Sequence, residues 1–248
     1  MMSKVAKGVR NPHAALRYIK RRLQYAYLCL IHDSTESVEF YKELQDKKIR
    51  DGEAYPRGKG IGEAQIEFLR RSGLQPDDDL LDIGCGNLRG GKYMIHHLQD
   101  GSYTGMDISE EAIAAARENS KSWDTDTTSV TLLINDDLKF DEFEDDAFDW
   151  VFANSVLTHL PETNIRECFE NLGRVLRDDG TASLSYRHTD GVTTIKTNTT
   201  MMSNVYGYPF ETLASWASEY GLRAEQDAYE EHPRDDMRMV ILCSDSAV

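Results

Sequence analysis

The chain has 248 residues, enough for one medium domain with a sizeable core and a small extension. Acids outnumber bases 43 to 28, a formal net charge of −15 that repels nucleic-acid phosphates, so no nucleic-acid partner is expected, and that suits a salt-rich cytoplasm. Four scattered cysteines, Cys29, Cys85, Cys168 and Cys243, form no Cys-x-x-Cys pair and indicate no zinc or redox motif; those outside the glycine turn at Cys85 read as buried small hydrophobes. With no secretory signal and no apolar run of spanning length, the expected location is the cytoplasm.

The N-terminus differs from the rest. Residues 1 to 25 hold Lys4, Lys7, Arg10, Arg17, Lys20, Arg21 and Arg22 and no acid, so the remainder carries −22. Leu16, Ile19 and Leu23 recur at helical spacing before the apolar run 25–31. Two readings stay open: a basic amphipathic helix for an anionic membrane surface or acidic partner through residues 1–31, or a helix that caps the acidic body. A second helix is predicted from Ser37 to Lys48, with Val38, Tyr41, Leu44 and Gln45 inward. A Gly/Pro-rich connector, 51–62, follows, in which Tyr55 and Arg57 are candidates for closing over a ligand. The expected division is an extension and connector over 1–57 and the main domain over 58–248.

Within that domain, helix 63–72 ends at Gly73 as a C-cap. A strand then runs into Gly84. Helix 91–99, strand 103–107, helix 109–120 and strand 130–135 come next, with Ser109 before Glu110 and Glu111 as a helix start. Strand 148–154, helix 162–176 opened by Pro161, and strand 181–187 continue the alternation. A polar, Thr-rich segment from Thr189 to Tyr208 is long enough to be a lid or an acceptor site. Helix 210–220 and strands 222–228 and 237–243 close the chain. Alternating strands and helices predict an α/β, doubly wound, mostly parallel sheet covered on both faces.

The most informative stretch is Leu80-Leu81-Asp82-Ile83-Gly84-Cys85-Gly86-Asn87-Leu88-Arg89-Gly90-Gly91. An apolar strand ends in an acid and a Gly-x-Gly turn, and the next strand ends in Asp107-Ile108. Strand, glycine turn, helix, strand and acid is how doubly wound folds hold a nucleoside ribose. A dinucleotide fingerprint would need glycine at position 89, where Arg89 stands. The segment Asp82 to Gly86 resembles the first motif of class I S-adenosylmethionine-dependent methyltransferases, although Leu88 stands where that family often has a third glycine. Gly105 to Ile113 resembles the second motif, Ile134-Asn-Asp136-Asp137-Leu138 the loop after the third strand, 147–160 the fourth strand and its exit loop, and 174–181 the entry to the fifth strand. The resemblance covers residues 60 to 245 and implies a seven-stranded Rossmann-like sheet with its last strand antiparallel. It implies S-adenosyl-L-methionine held by Gly84, Cys85, Gly86, Asp107 with Ile108, Leu138, Asn154 and one of Asp136 or Asp137, Asp136 being favoured for the adenine amine. Asp82 would order the turn or the methionine amine.

Methyl transfer from a sulfonium is an in-line displacement that needs alignment and exclusion of water. A hydroxyl acceptor also needs a base. His159, in the exit loop of the fourth strand, is the first candidate, because imidazole titrates near neutral pH. His188, beside Arg187 and Asp190, is the second. Each has a bland reading as well, a loop-capping or solvated histidine. No Asp/Asn-Pro-Pro-Tyr/Phe motif follows the fourth strand. The resemblance favours O-methylation of a small metabolite, sugar or glycan, and Asn198, Asn204, Tyr206 and Tyr208 suit a polar acceptor. Two other readings remain: a nicotinamide-dependent oxidoreductase, and an idle S-adenosylmethionine-binding module that docks partners through its basic arm. The sequence leaves the oligomeric state open.

Overall fold

The computed structural model describes residues 12–31, 38–51, 60–121, 123, 129–195, 205–230 and 236–244. Three helices come first: α1 (Pro12–Ile31), α2 (Val38–Arg50) and α3 (Ile61–Ser72). Strands and helices then alternate as β1 (Asp79–Ile83), α4 (Gly91–His97), β2 (Ser102–Asp107), α5 (Glu110–Ser120), β3 (Ser129–Ile134), β4 (Phe148–Ala153), α6 (Glu162–Val175) and β5 (Leu176–Arg187). A short hairpin of β6 (Thr193–Ile195) and β7 (Val205–Gly207) precedes α7 (Phe210–Ser218), β8 (Leu222–Asp227) and β9 (Met237–Ser244).

Seven strands form one sheet in the order β3-β2-β1-β4-β5-β9-β8. The first five are parallel; β9 runs antiparallel between β5 and β8. The expected seven-stranded, doubly wound sheet is therefore present, and chain order reverses between β1 and β4, which opens a crevice at their carboxyl ends. Burial on both faces explains the unbroken apolar runs Leu80–Leu81 and Trp150–Ala153. One face packs under α6 and α7 through Phe169, Leu172, Leu213 and Trp216. The other packs under α3, α4 and α5 through Phe68, Leu69, Met94, Ile95, Ile113 and Ala116.

Local signals act as their chemistry requires. Ser109 Oγ accepts from Ala112 N at 3.0 Å and caps α5. Gly73, at φ 117°, ends α3 with its N–H turned back to Leu69 and Arg70 carbonyls. At the amino edge of the sheet, Arg177 pairs with Asp79 at 2.8 Å and with Asp149, while Asp79 N donates to Asp149 Oδ2 at 2.7 Å and Ser102 Oγ to Asp79 Oδ1 at 2.6 Å. That knot ties β1, β2, β4 and β5 at the end opposite the crevice.

Several expectations need correction. On α2, Phe40 and Leu44 are buried while Val38, Tyr41 and Gln45 are half-buried, because Phe40 and Leu44 close a small cluster with Leu28 of α1. Cys29 is exposed on α1, and Cys243 is half-buried near the end of β9, past the core residue Met239 on the same face. Strand β5 starts at Leu176, five residues early: Leu176 pairs with Phe148 and Thr181 with Trp150, so the acidic turn 177–180 bulges within the strand. The Thr-rich segment contains the β6–β7 hairpin, and Tyr206 and Tyr208 are buried. Tyr55, Arg57, Asn198, Asn204 and the boundary at residue 57 lie outside the described residues.

Candidate active site

The crevice begins with the turn after β1. Gly84 N and Cys85 N both donate to Met106 O, at 2.8 and 3.0 Å, which lays the turn across the end of β2. Gly84 adopts φ 73°, and a Cβ there would lie 2.6 Å from Val156 Cγ2 in the β4 exit loop. Position 84 therefore excludes a side chain twice, by conformation and by space. Gly86 repeats the positive φ at 58°.

Asp107 ties this turn to the next loop. Its Oδ2 accepts from Gly86 N and its Oδ1 from Ser109 N, each at 2.9 Å. A carboxylate has room for about four hydrogen bonds, so acceptor positions remain for ribose hydroxyls. Burial raises the Asp107 pKa; the two N–H donors pull it back and neighbouring Asp46 pushes it up again. Ile108 is half-buried beside it. Asp82 is fully enclosed: Tyr103 Oη donates to its Oδ2 at 2.6 Å, and burial lifts its pKa to about 7 despite that bond, with the Asp107 charge adding to the rise. Burial likewise pushes the Cys85 thiol up, so Cys85 is a packed wall of the turn and not a nucleophile.

The loop after β3 supplies the third side. Asp137 Oδ1 accepts from Lys139 N at 3.0 Å and closes its own turn, whereas Asp136 stands exposed. Leu138 is buried. Asn135, absent from the candidates above, is buried, donates its backbone N–H to Asp107 O at 3.2 Å and its amide to Glu142 at 3.1 Å, and leaves Oδ1 without a partner among the described residues. The only sequence signal for Asn135 was its place before two acids.

The β4 exit loop forms the fourth side. Asn154 Oδ1 accepts from Tyr229 Oη at 3.2 Å. Ser155, at φ 64°, donates its N–H to Ser185 Oγ at 2.6 Å, and Leu157–His159 wind into a 3₁₀ turn. His159 then packs against Tyr41, ring centroids 5.1 Å apart. Burial and, less, the Asp107 charge raise the Tyr41 pKa, and a hydrogen bond with Gln45 lowers it. Asp46, one turn later on α2, accepts from Ser109 Oγ and from Glu111 N at 3.4 Å, and Lys42–Glu110 and Arg50–Glu111 pairs add to the docking of α2 on α5. Sequence periodicity turned Tyr41 inward; the structure shows that inward means against His159.

His188 sits at the end of neighbouring β5. Its N–H donates to Asp236 O at 2.9 Å, and its buried Nδ1 has no partner among the described residues. Arg187 pairs with Asp236 at 3.0 Å, and Asp190 is exposed. Tyr208, bridged to His188, donates its hydroxyl to Leu160 O at 2.9 Å and so joins the β6–β7 hairpin to the β4 exit loop. The two candidate histidines thus ride on adjacent strand ends.

Comparisons agree with this geometry. A family model described as a methyltransferase domain matches residues 81–182. A phosphoethanolamine N-methyltransferase 2 of Caenorhabditis elegans is 28% identical over 116 residues, 46% of this chain and 25% of that protein. A PKS-NRPS hybrid synthetase of Chaetomium globosum is 29% identical over 144 residues, 55% of this chain and 3% of that protein. The chain thus spans only a small part of these relatives. Among solved structures, the 1,6-didemethyltoxoflavin-N1-methyltransferase of Burkholderia thailandensis, with bound 1,6-didemethyltoxoflavin and S-adenosylhomocysteine, superposes with a TM-score of 0.64 at 15% identity, covering 82% of this chain and 85% of that one.

Proposed function

We propose that the chain is a class I S-adenosylmethionine-dependent methyltransferase that methylates an oxygen of a small polar acceptor, a metabolite or sugar; its sheet order and the methyltransferase-domain match over residues 81–182 support this reading. The observation that carries this reading is the placement of His159, in the β4 exit loop, against Tyr41 of α2, the helix that docks on α5 beside Asp107. An imidazole is thereby held at the rim of the nucleoside crevice, where an acceptor proton must be removed.

The residues fit the donor. The side-chain-free cradle at Gly84 and Gly86 admits close backbone approach, Asp107 offers lone pairs to ribose hydroxyls, and Asp136 with the unpartnered Asn135 Oδ1 offers acceptors to an adenine amine. Asp82, through Tyr103, braces the turn. S-Adenosylmethionine supplies an electrophilic methyl on a sulfonium. The protein contributes alignment of the acceptor over the ends of β4 and β5, shielding by Tyr41 and the hairpin, and a base in His159.

A second reading has a specific support. Two of the relatives are named as N-methyltransferases, and an amine acceptor would need alignment more than a strong base. Calorimetric titration with S-adenosylmethionine, S-adenosylhomocysteine and NADH tests the donor site first; binding of NADH alone, or of nothing, would overturn it. Mass spectrometry of hydroxyl and amine panels then tests the acceptor. His159→Ala should cut turnover of a hydroxyl acceptor about 100-fold while leaving donor affinity unchanged. Methylated amines alone, with turnover indifferent to His159, would replace the oxygen reading with the nitrogen one.

A further inference from the structure

Helix α1 carries a feature that methyl transfer does not use. Leu16, Ile19, Leu23, Tyr27, Leu30 and Ile31 are all exposed, Leu30 to 84%. At about 100° per residue they fall on one stripe roughly 120° wide. Leu28, off that stripe, is the residue that anchors the helix, buried against Phe40 and Leu44. Lys20 adds an ion pair to Asp51 at 2.9 Å. Leu28 thus fixes the helix to the body off the stripe, Lys20 is held to Asp51 near the stripe's edge between Tyr27 and Ile31, and the apolar side chains of the stripe stay exposed.

We infer that this stripe is a peripheral docking surface for an anionic lipid bilayer. The charge around it selects the occupant. Residues 1–32 hold seven bases and no acid, and the rest of the chain is strongly acidic. A bilayer offers apolar depth and anionic headgroups in the same plane, which is what a basic amphipathic helix meets at an interface. A second copy of the chain offers neither: pairing α1 with α1 sets like charges together, and the other exposed large hydrophobics among the described residues are only the separate Ile134 and Val192. Helix α1 has 20 residues, yet no helix among the described residues is long and apolar enough to cross a membrane, so α1 lies on the surface. The acidic body, repelled by the same headgroups, would point away and leave α1 as the contact. Because α1 is bonded to α2, which bears Tyr41, docking would set the crevice rim close to the bilayer.

The test needs neither donor nor acceptor, so its failure is separate from failure of the methyltransferase reading. The full chain is sedimented with phosphatidylcholine vesicles with and without about 30% phosphatidylglycerol, at low and high salt. We expect binding to the anionic vesicles about 100-fold tighter than to the neutral ones, the factor that about three engaged bases give, and weakening with salt. Leu23→Glu with Leu30→Glu alters exposed positions only and should abolish pelleting, with circular dichroism and donor titration unchanged. A wild-type chain that stays in the supernatant with anionic vesicles at low salt overturns the inference, as does a variant that pellets equally well. Dimerisation of the wild type in light scattering, lost in the variant and unaccompanied by vesicle binding, would assign the stripe to a second copy instead.

Discussion

Replacing Asp82 by Asn should reverse part of the pH dependence of stability. The carboxyl is 5% exposed, and its pKa moves from 3.8 to about 7 on folding, chiefly through burial. Below about pH 4 it is protonated in both folded and unfolded chains, and Asn is a fair mimic. Between about pH 4 and 7 the unfolded chain releases the proton while the folded chain keeps it, so stability falls as pH rises; above about 7 the penalty is complete. Three pKa units at ~1.4 kcal/mol each give a loss of up to roughly 4 kcal/mol. Asn keeps a carbonyl for the Tyr103 hydroxyl and cannot ionise. Asp107 shifts in the same direction and Asp79 and Asp227 in the opposite one, so the informative quantity is the difference between the two proteins. Urea unfolding followed by tryptophan fluorescence at steps from pH 4 to 9 should show Asp82→Asn gaining on wild type from pH 4 to 7 and holding that lead above. Parallel curves would refute the reasoning, because they would mean that Asp82 ionises alike in both states.

Three further changes separate the parts of the fold. Gly84→Ala meets both a positive φ and Val156, so it should cost about 2 kcal/mol in thermal unfolding and abolish calorimetric donor binding. Tyr41→Ala removes the ring packed on His159 and should raise the donor KM about tenfold, with Tyr41→Phe restoring most of it; equal effects of the two would assign the role to the hydroxyl. Arg177→Met leaves Asp79 and Asp149 facing each other at the amino edge and should cost about 1 kcal/mol, the groups being partly exposed, with donor affinity in calorimetry untouched.

The strands were legible because a sheet covered on both faces demands apolar runs, and Leu80–Leu81 and Trp150–Ala153 supply them. The place of Asp107 was legible too, since it ends the second strand directly after an apolar segment and beside the glycine turn. What escaped depends on contacts distant in sequence. The start of β5 is set by Leu176 meeting Phe148, a pairing that overrides the acidic turn 177–180. Phe40 is buried by Leu28 of another helix, which periodicity within α2 cannot show. Asn135 and Asp46 enter the site only through bonds to Asp107 and Ser109, and polar loop residues of that kind carry no pattern along the chain. The β6–β7 hairpin lies in a Thr-rich stretch whose composition suits a loop equally well.

The grouping of Asp46 and Asp107 in one corner bears on the end of the catalytic cycle as well as its start. A sulfonium donor arrives as a cation and leaves as a neutral thioether. A pocket walled by acids therefore grips what it must use and slackens on what it has spent, so that the methyl transfer itself dismisses the product. Such a pocket would resist clogging by its own by-product at low ionic strength and would lose that discrimination as salt screened the walls.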